Sequence, residues 1–267
     1  LSKGHGCLAL YAILSDKGFF SKKILKSSSR FDSILGGHPE FDKVPGVEAS
    51  TGALGHGSPI GLGIALGAKL EKKNFHTYVI VGDGEINEGS FWESSMIASK
   101  HKLSNYHIII DYNKIQSYGQ TKDVMQLEPL KDKLSSFGYK VDQVNGHDIK
   151  QLIKYFKKIK KNNKPTALIS HTIKGKGFYF AEQNPFWHHK NFFTDEEKLK
   201  LLKCLEIYRM YPYIFLRQQM ESEGIPRTEA SQDAAAMTIA EPATAAESAT
   251  NSRSSMYCCT SMPSWRM

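Results

Sequence analysis

No apolar run in the 267 residues approaches the roughly 18 to 20 needed to span a bilayer. The opening Leu1-Ser2-Lys3-Gly4-His5 lacks the charged, apolar and small-residue order of a signal peptide. Neither a membrane protein nor a secreted one is expected. Cysteine is scarce: Cys7, Cys204, Cys258 and Cys259 show no metal-ligand spacing, and the vicinal pair makes a poor disulfide framework. A reducing cytoplasm is the expected setting. An initiator Met is absent, so the beginning of the gene product is expected to be missing. The last part of the chain lacks lysine altogether. All 29 lysines lie at or before Lys203, whereas five of the six arginines lie after Glu206. Histidine is absent there too, and so is glycine except for Gly224. Ala/Ser/Thr-rich stretches such as 233–250 bury too little to offset an ordering cost of roughly 1 to 2 kcal/mol per residue. Residues 206–267 are therefore expected to form an atypical, mostly disordered tail, with a frameshift or a fusion as its origin.

The body that remains, residues 1–205, alternates between helix and strand signals. Ser58-Pro59 supplies a cap and a pre-set φ for a helix over 60–73 that carries small and apolar residues all round, as a buried helix does. Strands are expected over 77–81, 106–112, 139–144 and 165–172, and helices over 88–102, 127–137 and from a cap at Asp148 to Lys161. Unbroken Val/Ile strands between helices of this size imply an α/β fold, a parallel sheet with helices on both faces. Ligands of such sheets sit at the carboxyl ends of the strands.

The stretch Val79-Ile80-Val81-Gly82-Asp83-Gly84-Glu85 ends a strand on a carboxylate between two glycines, which add no bulk and leave Asp83 free to face a cation. The next strand ends in Asp111-Tyr112-Asn113-Lys114-Ile115, bringing an amide oxygen and a turn carbonyl beside it. One carboxylate, one amide oxygen and one backbone oxygen leave half of an octahedron open. Mg²⁺ is held this way when a diphosphate supplies the rest.

The run from Gly82-Asp83-Gly84 to Asn113 resembles the thiamine-diphosphate motif, and the flanking blocks resemble the amino-terminal half of transketolase, in particular its split, two-gene form. These blocks are Leu1 to Gly6, Gly37-His38-Pro39-Glu40, Ser50 to Gly57, Glu88-Gly89 and Thr172 to Gly177, in order over about residues 1–205. By this resemblance Asp83, Asn113 and the carbonyl of Ile115 match metal ligands for Mg²⁺ or another divalent ion such as Ca²⁺, and Gly84 and Asn113 match diphosphate contacts. Gly52, Ala53 and Leu54 match the backbone that meets the aminopyrimidine, and His5 matches a cofactor-contacting histidine. His38 matches a histidine that meets the donor sugar's hydroxyls. His188 or its neighbour His189 matches one that contacts diphosphate and substrate. Glu88 and Glu93 match buried acids of a proton network at a dimer interface.

The implied activity is transfer of a two-carbon ketol unit from a ketose phosphate to an aldose phosphate, in the pentose phosphate pathway. The implied partners are thiamine diphosphate, sugar phosphates, a second copy of the chain, and a separate carboxyl-terminal subunit carrying the pyrimidine-binding domain, together forming a heterotetramer. Neither that domain nor the family's segment ahead of Leu1, with its further substrate histidine, is found here. A catalytically inactive remnant and a related synthase condensing pyruvate with a triose phosphate are the alternatives. The Gly-His-Pro-Glu block and the 174–177 region favour transketolase over the synthase.

The net charge of +8 raises a nucleic-acid reading, most densely over 150–164. There Leu152, Ile153, Phe156 and Ile159 read as the buried stripe of an amphipathic helix, with Lys154, Lys157, Lys158, Lys160 and Lys161 on its wet face. No stacking aromatics interleave on that face, and nucleic acid is not an expected partner. Gly61, Gly63 and Gly67 lie within a helix, not in the turn after a strand that a dinucleotide fingerprint needs, and are expected to serve close helix packing.

Overall fold

The computed structural model describes residues 1–206 except 160, 161, 189 and 191. The expected disordered tail, Lys160, Lys161 and His189 lie outside the described residues. Two units are present, one of them residues 1–190. From the other, a helix over 195–206 is described.

In the larger unit a 3-10 turn, Gly4–Gly6, leads into α1 (Cys7–Asp16), followed by a long irregular stretch with a second 3-10 turn at Lys22–Ser27. Then come α2 (Gly57–Leu70), β1 (Thr77–Gly82), α3 (Gly89–Lys100), β2 (Tyr106–Tyr112), the two-residue strands β3 (Ile115–Gln116) and β4 (Gly119–Gln120), and α4 (Thr121–Val124). The unit continues with α5 (Leu130–Ser136), β5 (Lys140–Asn145), α6 (Ile149–Ile159) and β6 (Thr166–His171). The main sheet runs β1-β2-β6-β5, and all its pairs are parallel.

Side chains alternate across this sheet. Val79, Val81, Ile108, Ile110, Ala167 and Ile169 pack with residues of α2, α3 and α5, while Leu168 and Ile109 meet Tyr155, Phe156 and Ile159 of α6 on the other face. Helices on both faces are thus observed. Ile108 and Ile110 are wholly buried, and each such side chain contributes roughly 1.5 to 3 kcal/mol.

The element boundaries correct several expectations. Ser58 does not cap α2; it lies inside the helix, where its hydroxyl meets Ser94 Oγ at 2.7 Å and Tyr106 Oη at 2.8 Å, tying α2 to α3 and β2. Nor is α2 buried all round. One face packs on β1 and α3, but Ile60, Ile64 and Leu70 point outward and are exposed. Gly61 does serve close packing, since a Cβ there would lie 2.4 Å from Val79, whereas Gly63 and Gly67 face open space. The helix expected from 127 starts at Leu130, because Pro129 is extended and the Glu128 carboxylate accepts the Leu130 N–H at 2.9 Å. Asp148 caps α6 as expected, accepting the Gln151 N–H at 3.0 Å. The buried stripe of α6 is rotated by comparison with the sequence reading: Tyr155 is buried, with its hydroxyl 3.2 Å from Thr166 Oγ1, and Ile153 is half exposed.

Beneath α6, His107 is fully buried between His76, at 2.8 Å, and Thr166 Oγ1, at 2.7 Å. Burial, and then the nearby His76, push the His107 imidazole down to about 4. An unfolded chain with an ordinary histidine takes up a proton as pH falls through about 6.5, and the folded chain does so only near 4. Stability is therefore fully present above about pH 6.5 and is lost progressively down to about pH 4, by roughly 3 kcal/mol. Urea midpoints measured between pH 7 and pH 4 are expected to show this fall, and His107→Gln to flatten it.

Candidate functional site

The parallel pairing sets Gly82 beside Asp111 and Asp111 beside Ser170, so the carboxyl ends of β1, β2 and β6 lie together. Asp83 follows directly on β1 and is 2 % exposed. Its Oδ1 accepts the Gly84 N–H at 2.8 Å, and its Oδ2 accepts the Lys114 N–H from the turn after β2. Lys114 holds a left-handed φ of +67°, uncommon for a residue with a side chain, and its carbonyl accepts the Thr121 N–H at 2.9 Å. Asn113 Oδ1 accepts the Ile115 N–H at 3.1 Å within the same turn. Asp83, Gly84, Asn113 and Ile115 are thus brought together through the backbone of one turn.

Burial pushes the Asp83 carboxyl up to about 6, with Asp111 adding to the rise, while the Lys114 and Gly84 N–H groups and Lys174 act against it. At these strand ends opens a cavity of about 330 Å³ whose lining includes Lys3, His5, Asp111, Asn113, Thr172 and Lys174; Asp83, Gly84, Ile115 and His38 are not among its lining residues. Asp111 accepts hydrogen bonds from Lys3 Nζ and Thr172 Oγ1. Burial alone would raise its carboxyl; Lys3, Thr172 and Asn113 more than reverse this and hold it below the ordinary value. Lys174 is held below the usual lysine range by burial first and by Lys3 second, against the pull of Asp83 and Asp111. Two ammonium groups and the Asp111 carboxylate thus share one partly dry hollow, with Lys3 ion-paired to Asp111 and Lys174 beside them. A smaller pocket of about 100 Å³ beside Leu10, Ile60 and Tyr78 contains none of the candidate residues.

Distant blocks of sequence close around these strand ends. A Cβ on Gly4 would lie 2.5 Å from the Thr51 carbonyl, so the chain around His5 packs directly on the 51–55 loop. His38 reaches the same loop, with its ring 3.0 Å from where a Gly52 Cβ would stand. Gly55 takes a φ of +80°, and its missing Cβ would fall 2.6 Å from Glu88. Glu85, 2 % exposed, binds the blocks together: Oε1 accepts from the Ser2 hydroxyl and from the Gly55 N–H at 3.1 Å, and Oε2 accepts the Gly82 N–H at 3.0 Å.

Of the other candidates, Ala53 and Leu54 are exposed on this loop, and His5 is exposed at the cavity. Glu88 and Glu93, expected as buried acids, are not buried in the single chain; Glu93 shares the outer face of α3 with Met96 and Ile97. His188 follows a 3-10 turn, Pro185–Trp187, and is not among the cavity's lining residues. The sequence reading did not single out Lys3, Glu85, Asp111, Thr172 or Lys174. Lys3, Thr172 and Lys174 stand inside motif blocks already noted, and Asp111 stands two residues before Asn113. Charge within those blocks was the available signal.

A family model described as transketolase, thiamine diphosphate binding domain, matches residues 1–203. The chain belongs to this transketolase family. Among its relatives, an apulose-4-phosphate transketolase subunit of Phocaeicola vulgatus is 46 % identical over 190 residues, which cover 71 % of this chain and 67 % of that protein. The 6-deoxy-6-sulfo-D-fructose transketolase subunit SqwG of a Clostridium species is 38 % identical over 183 residues, 68 % of this chain and 66 % of the relative. Among solved structures, the transketolase of Campylobacter jejuni matches with a TM-score of 0.67 and 32 % identity, over 69 % of this chain but 30 % of that one. This transketolase-family chain thus spans about two thirds of those two relatives and a much smaller part of the solved enzyme.

Proposed function

We propose that this chain is the diphosphate-binding subunit of a two-chain transketolase that moves a two-carbon ketol unit from a ketose phosphate to an aldose phosphate. The observation that carries the reading is the shared turn that locks Asp83 and Asn113 at adjacent strand ends beside a cavity holding Lys3 and Lys174. The donor set suits a hard divalent ion: one carboxylate, one amide oxygen and the Ile115 carbonyl. Among the described residues no group of three or more His, Cys, Asp and Glu side chains could hold a metal, and the proposed set leaves its remaining positions to oxygens of the ligand. The high acid pKa of Asp83 fits the same picture, because a buried carboxylate with only N–H partners is better matched by a cation.

When bound, thiamine diphosphate supplies the carbon nucleophile and the electron sink that ketol transfer needs. Asp83, Asn113 and the Ile115 carbonyl hold Mg²⁺, or Ca²⁺ in its place. Lys174 meets the anionic end of the ligand, with Lys3 held on Asp111 beside it, and Gly84 adds a backbone contact. The loop of Gly52, Ala53 and Leu54 supports the aminopyrimidine. His5 contacts the cofactor, and His38 meets the hydroxyls of the donor sugar, where an imidazole can relay a proton. His188 is assigned the diphosphate and substrate contact.

Three further chains complete the heterotetramer, a second copy of this one and two copies of a separate carboxyl-terminal partner. The reading is supported by relatives named as subunits of transketolases and by the exposure of Leu54, Met96 and Ile97 around the loop and α3. Relatives named for apulose-4-phosphate and for a sulfo-fructose show that the sugar varies among such subunits, so the class assigned here is a ketose donor and an aldose acceptor. The isolated chain is expected to show no ketol transfer, and mixing with the carboxyl-terminal partner, thiamine diphosphate and Mg²⁺ is expected to produce it in a coupled assay. Transfer by the chain alone refutes the two-chain assignment.

A further inference from the structure

Three consecutive backbone carbonyls, those of Gly36, Gly37 and His38, converge on two side chains one turn apart on α1. The Tyr11 hydroxyl lies 2.9 Å from the His38 carbonyl oxygen and 3.1 Å from that of Gly36. Cys7 Sγ donates to the Gly37 carbonyl at 3.1 Å and lies 3.7 Å from that of Gly36. Positions i and i+4 place the two donors on one face of the helix. Tyr11 is wholly buried, and Cys7 is 2 % exposed.

The loop they hold is otherwise loosely specified. Gly36 and Gly37 have the least restricted backbones available, and a Cβ on Gly37 would meet nothing within 4 Å. On the opposite side, the Thr51 N–H donates to the Pro39 carbonyl at 3.3 Å, and the Phe41 N–H donates to Ser50 Oγ at 2.8 Å. His38 is thereby suspended between α1 and the 50–52 segment, with its ring over Gly52. The helix that carries Cys7 and Tyr11 begins directly after the turn that carries His5. One rigid element therefore governs the placement of both histidines. Neither Cys7 nor Tyr11 lines the cavity.

We infer that Tyr11, assisted by Cys7, is a positioning residue that fixes His38 over Gly52, where its imidazole meets the donor sugar. This rests on the reading of His38 as a sugar-contacting group. Loss of the Tyr11 hydroxyl removes the one O–H proton shared between the His38 and Gly36 carbonyls and loosens the Gly36-Gly37 segment, while the turn holding Asp83 and Asn113 is untouched. Donor binding then suffers and cofactor binding does not.

The test uses the full chain, alone and with its partner subunit. Tyr11→Phe is expected to raise KM for the donor ketose about 10-fold, the equivalent of one lost hydrogen bond, with kcat reduced less than about 3-fold. Calorimetric affinity for thiamine diphosphate with Mg²⁺ is expected to stay at the wild-type value. Cys7→Ala is expected to raise KM by a smaller factor, and Cys7→Ser, which restores a donor, to bring it back. In the chain alone, with ring-labelled histidine, the His38 NMR signal is expected to shift or broaden in Tyr11→Phe while the remote His107 signal stays fixed. A folded Tyr11→Phe chain with an unchanged His38 signal and an unchanged KM overturns the inference. If the assembled wild-type protein transfers no ketol unit, the proposed function falls and the NMR comparison alone decides, with an unmoved His38 signal overturning the inference. Should Tyr11→Phe fail to fold, the Cys7→Ala and Cys7→Ser pair carries the same two readouts, and an unmoved His38 signal with an unchanged KM in Cys7→Ala overturns the inference in the same way.

Discussion

Asp83→Asn is expected to weaken Mg²⁺-dependent binding of thiamine diphosphate at least about 100-fold, near 2.7 kcal/mol, while leaving the melting temperature of the ligand-free chain within about 3 °C. Both halves follow from the same geometry. Asp83 is the one carboxylate in the proposed ligand set, and an amide replaces its full charge with a dipole that a hard cation holds far less well. In the ligand-free fold, however, that charge is a burden. Burial has already pushed the acid up to about 6, and the Gly84 and Lys114 N–H groups only partly relieve it. Asparagine is nearly isosteric and keeps one oxygen for one of the two N–H donors. What stability is lost there is offset by no longer burying an anion. Titration calorimetry of the assembled protein, with and without Mg²⁺, reads the first effect, and a thermal melt of the chain alone reads the second. Undiminished metal-dependent binding by the variant would overturn the placement of the ion.

The parallel sheet was legible because its strands are continuous apolar runs. Tyr106 to Tyr112 is assigned residue for residue, since Ile108 and Ile110 pack against one helical layer and Ile109 meets the other. The placement of Gly82-Asp83-Gly84 and Asn113 was legible for a related reason, as both stand where adjacent parallel strands end. What local sequence did not reveal is what long-range contacts decide. Ser58 has the composition of a cap, yet its hydroxyl is claimed by Ser94 and Tyr106, 36 and 48 residues away. Tyr155 displaces Ile153 from the buried stripe because Thr166 waits beneath it with a polar partner. Gly63 and Gly67 look like packing glycines but line an outer face. The lysines of the cavity were obscured by number: among 29, only their place inside the Leu1 to Gly6 and Thr172 to Gly177 blocks sets Lys3 and Lys174 apart from those on the wet face of α6. Their role emerges only once the fold sets both of them near Asp111.

Glu85→Ala is expected to be the most damaging single substitution in the described chain outside the sheet core, lowering stability by about 4 kcal/mol and the melting temperature by about 10 °C. The side chain is 2 % exposed, and its two oxygens accept from the Ser2 hydroxyl, the Gly55 N–H and the Gly82 N–H. Truncation leaves three donors in a dry environment. Each stranded donor costs about 1 to 3 kcal/mol, and water entering the space relieves part of the sum. Glu85→Gln keeps one acceptor oxygen but turns an NH₂ toward N–H or O–H donors, so an intermediate loss of about 2 kcal/mol is expected. Urea unfolding should therefore rank wild type above Gln above Ala. Loss of the carboxylate also unties the 52–55 loop from the end of β1, while the Ser2 N–H keeps its 2.8 Å bond to the Ile80 carbonyl, so amide exchange at Gly55 is expected to accelerate much more than exchange in β2. A general loosening of the fold would accelerate both together, and that result would deny Glu85 its part in joining the three blocks around the site.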